Sequence, residues 1–267
     1  MATSARGLHV AQDDLRPVWC RAGRPVVFHH GIGTDHHIWD DWVPTLAARH
    51  ALLRFDMRGW GASPVPPDGQ DWRVEDLIED LWEAAAPAGD GPVHLVGESF
   101  GGSLVLAAAL ARPERVASVH IYNASFKGRG LGELHRWRDQ FAQGVAHWSE
   151  RMMENRFAPG VLTPEAQEWF AATQGRTPPH VAIAIGGLLD ALDLSPDLPR
   201  LAAPLSIVLP DSSPFVPVAH GEELQHLVPH ATLRVVPGVR HGLPFSHARQ
   251  EAALLREKLA ELDGLTD

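Results

Sequence analysis

The chain has 267 residues, enough for one sizeable core plus an inserted subdomain, and no internal repeat is present. Its 45% hydrophobic and 21% charged residues fit a soluble globular protein, and no apolar run approaches the ~20 residues that a membrane span requires. A formal net charge of -10 argues against the clustered Lys and Arg that phosphate contacts need, so a small-molecule substrate is expected, with neither nucleic acid nor membrane as partner.

In chain order, the N-terminal MATSARGLHVAQDD carries neither the basic region nor the apolar region of a signal peptide, which predicts cytoplasmic residence. The single cysteine, Cys20, has no partner for an intramolecular disulfide and offers a metal no thiolate cluster, so it reads as a strand residue rather than a nucleophile. Short apolar runs rich in β-branched residues then alternate with helical patterns. This is the signature of parallel strands joined by crossover helices, and the fold class is α/β. Strands are predicted at 26–30 (VVFHH), 51–56 (ALLRFD), 93–97 (VHLVG), 118–123 (SVHIYN), 205–210 (LSIVLP) and 232–236 (TLRVV). Helices fall between them. VEDLIEDLWEAA puts Leu77, Ile78 and Leu81 on one face, and SLVLAAALA is a good helix former that Pro113 helps to stop. The terminal helix, about 247–262, repeats Leu255, Leu259 and Leu262 at helical spacing.

Between 124 and 200 the alternation gives way to two or three helices separated by APG, TPE and TPP. This predicts a helical cap, 124–200, inserted into a core made of 1–123 and 201–267. Trp137, Trp148, Trp169 and Phe170 are candidates to line a substrate cavity, with Trp137 the candidate substrate-binding residue, although aromatics at helical spacing also serve plain packing. Arg136, Arg138, Arg151 and Arg156 either bind an acidic substrate or sit on solvated surface. The sequence is compatible with a monomer or a homo-oligomer.

The chemistry concentrates at GESFGG, residues 97–102, which follows the strand VHLVG and precedes the helix SLVLAAALA. A nucleophile on a sharp strand-to-helix turn has a strained backbone, and Gly97 and Gly101 leave room for the neighbouring chain. Ser99 is then exposed at the turn, while the N–H of Phe100 at the helix N-terminus is placed to bind the oxyanion of a tetrahedral intermediate. The second oxyanion donor is expected in the HGIG turn after VVFHH, from the N–H of Ile32. His29, His30, Asp35, His36 and His37 are not read as a metal site. His29 and His30 are strand neighbours facing opposite sides, and the spacing matches no HExxH pattern. Among 16 histidines, His241 is the candidate general base, since it lies just after the last strand; His247 reads as the start of the terminal helix.

Together HHGIGTDHHIW, FDMRGWGAS, GESFGG and PGVRHG resemble the α/β-hydrolase superfamily, and the cap segments HRWRDQFAQGV and ENRFAPG are most similar to the 3-oxoadipate enol-lactonase group. The resemblance implies a mostly parallel sheet flanked by helices and a serine hydrolase acting on a small ester or lactone, with no cofactor. It also implies that Asp56 and Arg58 are structural. The family acid stands shortly before a VP pair after the strand corresponding to LSIVLP, but PDSSPFVP puts Ser213 there and Asp211 two residues earlier. Asp211 is the preferred acid; Asn123 orienting the imidazole, or a Ser–His dyad, are the alternatives. Glu98, beside the nucleophile, is read as structural. Two further functions stay open: a C–C bond hydrolase of the same architecture, and a binding or ring-forming protein with a disarmed triad.

Overall fold

The computed structural model describes residues 2–132 and 136–265. Strands β1 (Ala2–Thr3), β2 (His9–Asp13) and β3 (Val26–His29) are followed by helix α1 (Val43–Leu46) and β4 (Leu52–Phe55). Next come α2 (Val74–Ala84), β5 (Val93–Glu98), α3 (Phe100–Ala111) and β6 (Val116–Tyr122). Helices α4 (Trp137–Ala142), α5 (Val145–Arg156), α6 (Pro164–Gly175) and α7 (Pro179–Ala191) precede β7 (Leu205–Pro210). The chain ends with α8 (Val218–Leu227), β8 (Thr232–Val236), α9 (Leu243–Ser246) and α10 (Ala248–Asp263). His135, the first residue of one cap motif, lies outside the described residues.

The strands form one sheet in the order β1-β2-β4-β3-β5-β6-β7-β8. β1 and β2 enter antiparallel, and every pairing from β4 to β8 is parallel. Successive side chains of a strand face opposite sides of a sheet, so the interior strands supply two cores. Val27, Leu95, Ile121 and Ile207 join Leu81 of α2 and Leu104 of α3 on one side. Phe28, Val96, Tyr122 and Val208 join Trp39, Trp42 and Leu255 of α10 on the other. α3 is apolar nearly all round, as suits a helix buried from Phe100 to Ala109 against β5, β6 and α2.

The six strands expected from the sequence are the six parallel ones, with ends within two residues of the expected positions. β2 was not expected, because HVAQD gives neither a clean alternation nor an apolar run. Cys20 is not a strand residue: its N–H bonds to the Pro17 carbonyl in a turn of the exposed connection between β2 and β3. The prolines at 17 and 25 flank a stretch that cannot donate a continuous ladder. The carboxyl ends of β3, β5, β6, β7 and β8 lie along one edge, where open α/β sheets bind ligands.

Candidate active site

Ser99 stands between β5 and α3 with φ 53° and ψ -126°. A positive φ on a non-glycine residue costs on the order of 1–3 kcal/mol and persists only where the surroundings enforce it. Here the Ser99 N–H is held by the Tyr122 carbonyl at 2.9 Å. Gly97 makes the turn possible, since a Cβ on it would lie 2.5 Å from the Gly101 carbonyl oxygen. The hydroxyl meets His241: Nε2 is 3.1 Å from Ser99 Oγ.

His241 follows β8 in a segment tied down on several sides. The Gly242 N–H donates to the Arg156 carbonyl at 2.9 Å, and Asn123 Nδ2 donates to the carbonyl of His241 itself. The ring packs edge-on against Phe215 at 4.8 Å. Burial, reinforced by the positive charge of Arg156, pushes its pKa well below the ordinary value of 6.5. Its Nδ1 lies 3.0 Å from Ser213 Oγ, and that oxygen also accepts the N–H groups of Phe215 and Val216 at 3.3 Å each.

The expected acid, Asp211, is therefore corrected. Its exposed carboxylate accepts the Gly238 N–H at 2.7 Å and the Ser212 hydroxyl at 2.8 Å, capping the turn after β8 and not reaching the imidazole. The Asn123 alternative fails in its stated form, because its amide grips the backbone of His241, not the ring. The contact partner at Nδ1 is Ser213, in the place where the family resemblance puts the acid.

The Gly31–Ile32 peptide is fixed from both ends. Its carbonyl takes hydrogen bonds from His30 Nδ1 at 2.8 Å and Thr34 Oγ1 at 3.0 Å. His30 can donate from Nδ1 because its Nε2 accepts the Met57 N–H at 2.9 Å. Since a trans peptide points its N–H opposite to its C=O, the Ile32 N–H is turned away from these partners. Glu98 accepts the Gly31 N–H at 2.9 Å, and Arg156 Nη2 donates to the Ile32 carbonyl at 2.6 Å. Phe100 opens α3, where the first backbone N–H groups have no intrahelical acceptor. Ile32 and Ser99 share a cavity that is also lined by Asn123, Trp137, Arg156 and His241.

Of the residues singled out in the sequence, Ser99, His241, Ile32 and Trp137 line one cavity, and Phe100 follows Ser99 at the start of α3. In the sequence, Ser213 stands out only as a departure from the family pattern. Of the four arginines, Arg156 enters the site; Arg151 pairs with Glu154 on the surface. Glu98 is buried as a brace, with Arg156 Nη1 4.0 Å from its carboxylate. Trp148 stacks on Phe141 and touches Trp137, while Trp169 and Phe170 pack on Phe245. His247 starts α10, and Arg58 pairs with buried Asp80.

Comparison with known proteins identifies the family. The family model described as alpha/beta hydrolase fold matches residues 24–248. The pimeloyl-[acyl-carrier protein] methyl ester esterase of Methylococcus capsulatus is 29% identical over 253 residues, covering 89% of this chain and 95% of that protein. 3-Oxoadipate enol-lactonase 2 of Acinetobacter baylyi is 26% identical over 242 residues, covering 85% and 88%. The crystal structure of the enol-lactonase from Burkholderia xenovorans LB400 superposes with a TM-score of 0.84 at 20% identity, covering 95% of this chain and 96% of that one. With a matched family model over most of its length, the chain belongs to the α/β-hydrolase fold family.

Proposed function

We propose that this hydrolase cleaves a small carboxylic ester or an activated lactone through an acyl-enzyme on Ser99. The observation that carries the reading is the 3.1 Å approach of His241 Nε2 to Ser99 Oγ at a strained strand-to-helix turn. Ser99 Oγ attacks the carbonyl carbon while its proton passes to Nε2, a step that needs Nε2 free of a proton. The oxyanion formed meets the N–H groups of Ile32 and Phe100, and loss of one such donor costs about 10²–10³ in rate. Collapse breaks the acyl C–O bond and returns the proton to the departing alkoxide, which stays tethered when the substrate is a lactone. Water then attacks the acyl ester, His241 takes its proton, and the carboxylic acid leaves with Ser99 restored.

The segment 124–200 serves as the cap over this cavity, with Trp137 in its wall as the substrate-facing aromatic. The esterase and enol-lactonase names of the relatives support ester and lactone bonds. The test is intact-mass labelling with a fluorophosphonate. One adduct that disappears in Ser99→Ala is expected; no adduct on a folded protein refutes Ser99 as the nucleophile.

A further inference from the structure

The hydrogens around Ser213 can be counted, and the count decides which nitrogen of His241 carries a proton. A hydroxyl has two lone pairs and one hydrogen. Ser213 Oγ accepts from the N–H groups of Phe215 and Val216, both at 3.3 Å, which occupies its two lone pairs. What it has left for His241 Nδ1, 3.0 Å away, is its hydrogen. An Nδ1 that accepts is unprotonated, so the proton of the neutral ring sits on Nε2 and points at Ser99 Oγ, 3.1 Å away. A carboxylate in the same position has no hydrogen to give. It would accept both N–H groups and a third hydrogen from Nδ1, leaving Nε2 as the acceptor for the Ser99 proton.

We propose that Ser213 is a positioning residue that locks His241 in its Nε2–H tautomer, so that the resting site offers Ser99 Oγ–H to the cavity as a hydrogen-bond donor and hydrolysis waits on a tautomer exchange. The inference rests on the proposed roles of Ser99 and His241. In the exchange one proton leaves Nε2 for solvent and one enters Nδ1, while the Ser213 hydroxyl rotates and gives up one of its two backbone N–H contacts, so that a lone pair faces the ring. Among the described residues, no carboxylate is hydrogen-bonded to the His241 ring to favour the imidazolium formed in the next step. Glu98, buried at the end of β5, faces Arg156 and the Gly31 N–H, and buried Asp56 is engaged by His36 and the Ala62 N–H. The Arg156 charge disfavours a second cation at His241.

The change Ser213→Asp supplies the missing acceptor on a loop that already presents two N–H groups to that position. In a related triad, exchanging the acid for an amide leaves the geometry intact but traps the wrong tautomer and lowers turnover about 10⁴-fold. The reverse change here is expected to raise the rate of Ser99 labelling on the order of 10²–10⁴-fold and, with a short ester, to change kcat more than KM.

The experiment is two-bond ¹H–¹⁵N correlation of the histidine rings at pH 7.5, with His241 assigned through His241→Gln, beside fluorophosphonate labelling rates. Expected are a protonated Nε2 with bare Nδ1 in the native protein, the reverse in Ser213→Asp, and a mixture of the two in Ser213→Ala. A native His241 protonated at Nδ1, or a Ser213→Ala protein that keeps the pure Nε2–H form, overturns the lock. Equal and measurable labelling of native protein and Ser213→Asp overturns its kinetic consequence. No labelling of either, with the tautomers as expected, instead removes Ser99 as nucleophile and leaves the lock standing.

Discussion

The peptide that carries the Ile32 N–H owes its place to a buried pair, and a double-mutant cycle on Glu98 and Arg156 measures how much. Glu98 holds the Gly31 N–H on one side of that peptide, and Arg156 holds the Ile32 carbonyl on the other. The residues are 2% and 3% exposed, and their charges lie 4.0 Å apart. At that separation, with an effective dielectric near 20, the attraction is about 4 kcal/mol, which offsets part of the cost of burying both charges. Arg156→Met leaves the Glu98 charge buried with two neutral donors, and Glu98→Gln leaves the Arg156 charge over Phe170 without a counter-ion. Each change is expected to lower unfolding free energy by about 3 kcal/mol, whereas the double variant loses about 2 kcal/mol less than the sum. Urea unfolding of the four proteins at constant m gives the coupling. In the same set, Arg156→Met frees the Ile32 carbonyl and is expected to lower kcat about 10²-fold toward a short ester, because the adjoining N–H loses its aim. Additive stability losses, or a full kcat in Arg156→Met, would refute the idea that the pair fixes the oxyanion loop.

Two further outcomes concern protons. Since burial and then Arg156 lower the His241 pKa, kcat/KM is expected to stay level from pH 8 down through 6.5 and to fall only at lower pH, where the ring gains its proton; an inflection at or above 6.5 in the pH profile contradicts that environment. Asp56 resists ionisation through burial, but hydrogen bonds from His36 and Ala62 and the nearby His30 hold it at about 2, below the ordinary 3.8. A depressed carboxyl contributes stability that is complete above 3.8 and fades as pH falls through 2, so Asp56→Asn is expected to cost about 2 kcal/mol at pH 7 and to flatten acid unfolding in that window. Circular dichroism melts from pH 2 to 7 check it, and parallel curves for the two proteins would rule it out.

What the sequence made legible follows from what burial demands. Strands covered on both faces must be apolar without interruption, so VVF, VHLVG and LSIVL stand out, and the turn of Ser99 is marked because a strand, a glycine pair and a helix bracket it. Strand β2, next to the two-residue edge strand β1, is partly exposed and mixed in composition, so neither periodicity nor propensity marks it. The brace of Glu98 and Arg156 was out of reach for another reason. It joins the end of β5 to the end of α5, and only the packed chain shows which of several arginines arrives there. Asn123, at φ 52°, shares the backbone strain of Ser99, yet nothing in SVHIYN announces it.

Proximity in sequence favours the carboxylate of Asp211 as the acid, whereas the loop after β7 brings Ser213 to the imidazole. That loop turns two backbone N–H groups and an imidazole nitrogen toward position 213, and it turns Asp211 toward the Gly238 N–H. A side chain at 213 is asked to accept twice from the backbone whatever its identity. Its only freedom is what it does at the third contact: a carboxylate accepts there, and a hydroxyl with both lone pairs engaged must donate. On the proposed roles of Ser99 and His241, the difference between an armed and an idle Ser99 comes down to the placement of one proton, set by a backbone whose shape does not have to change.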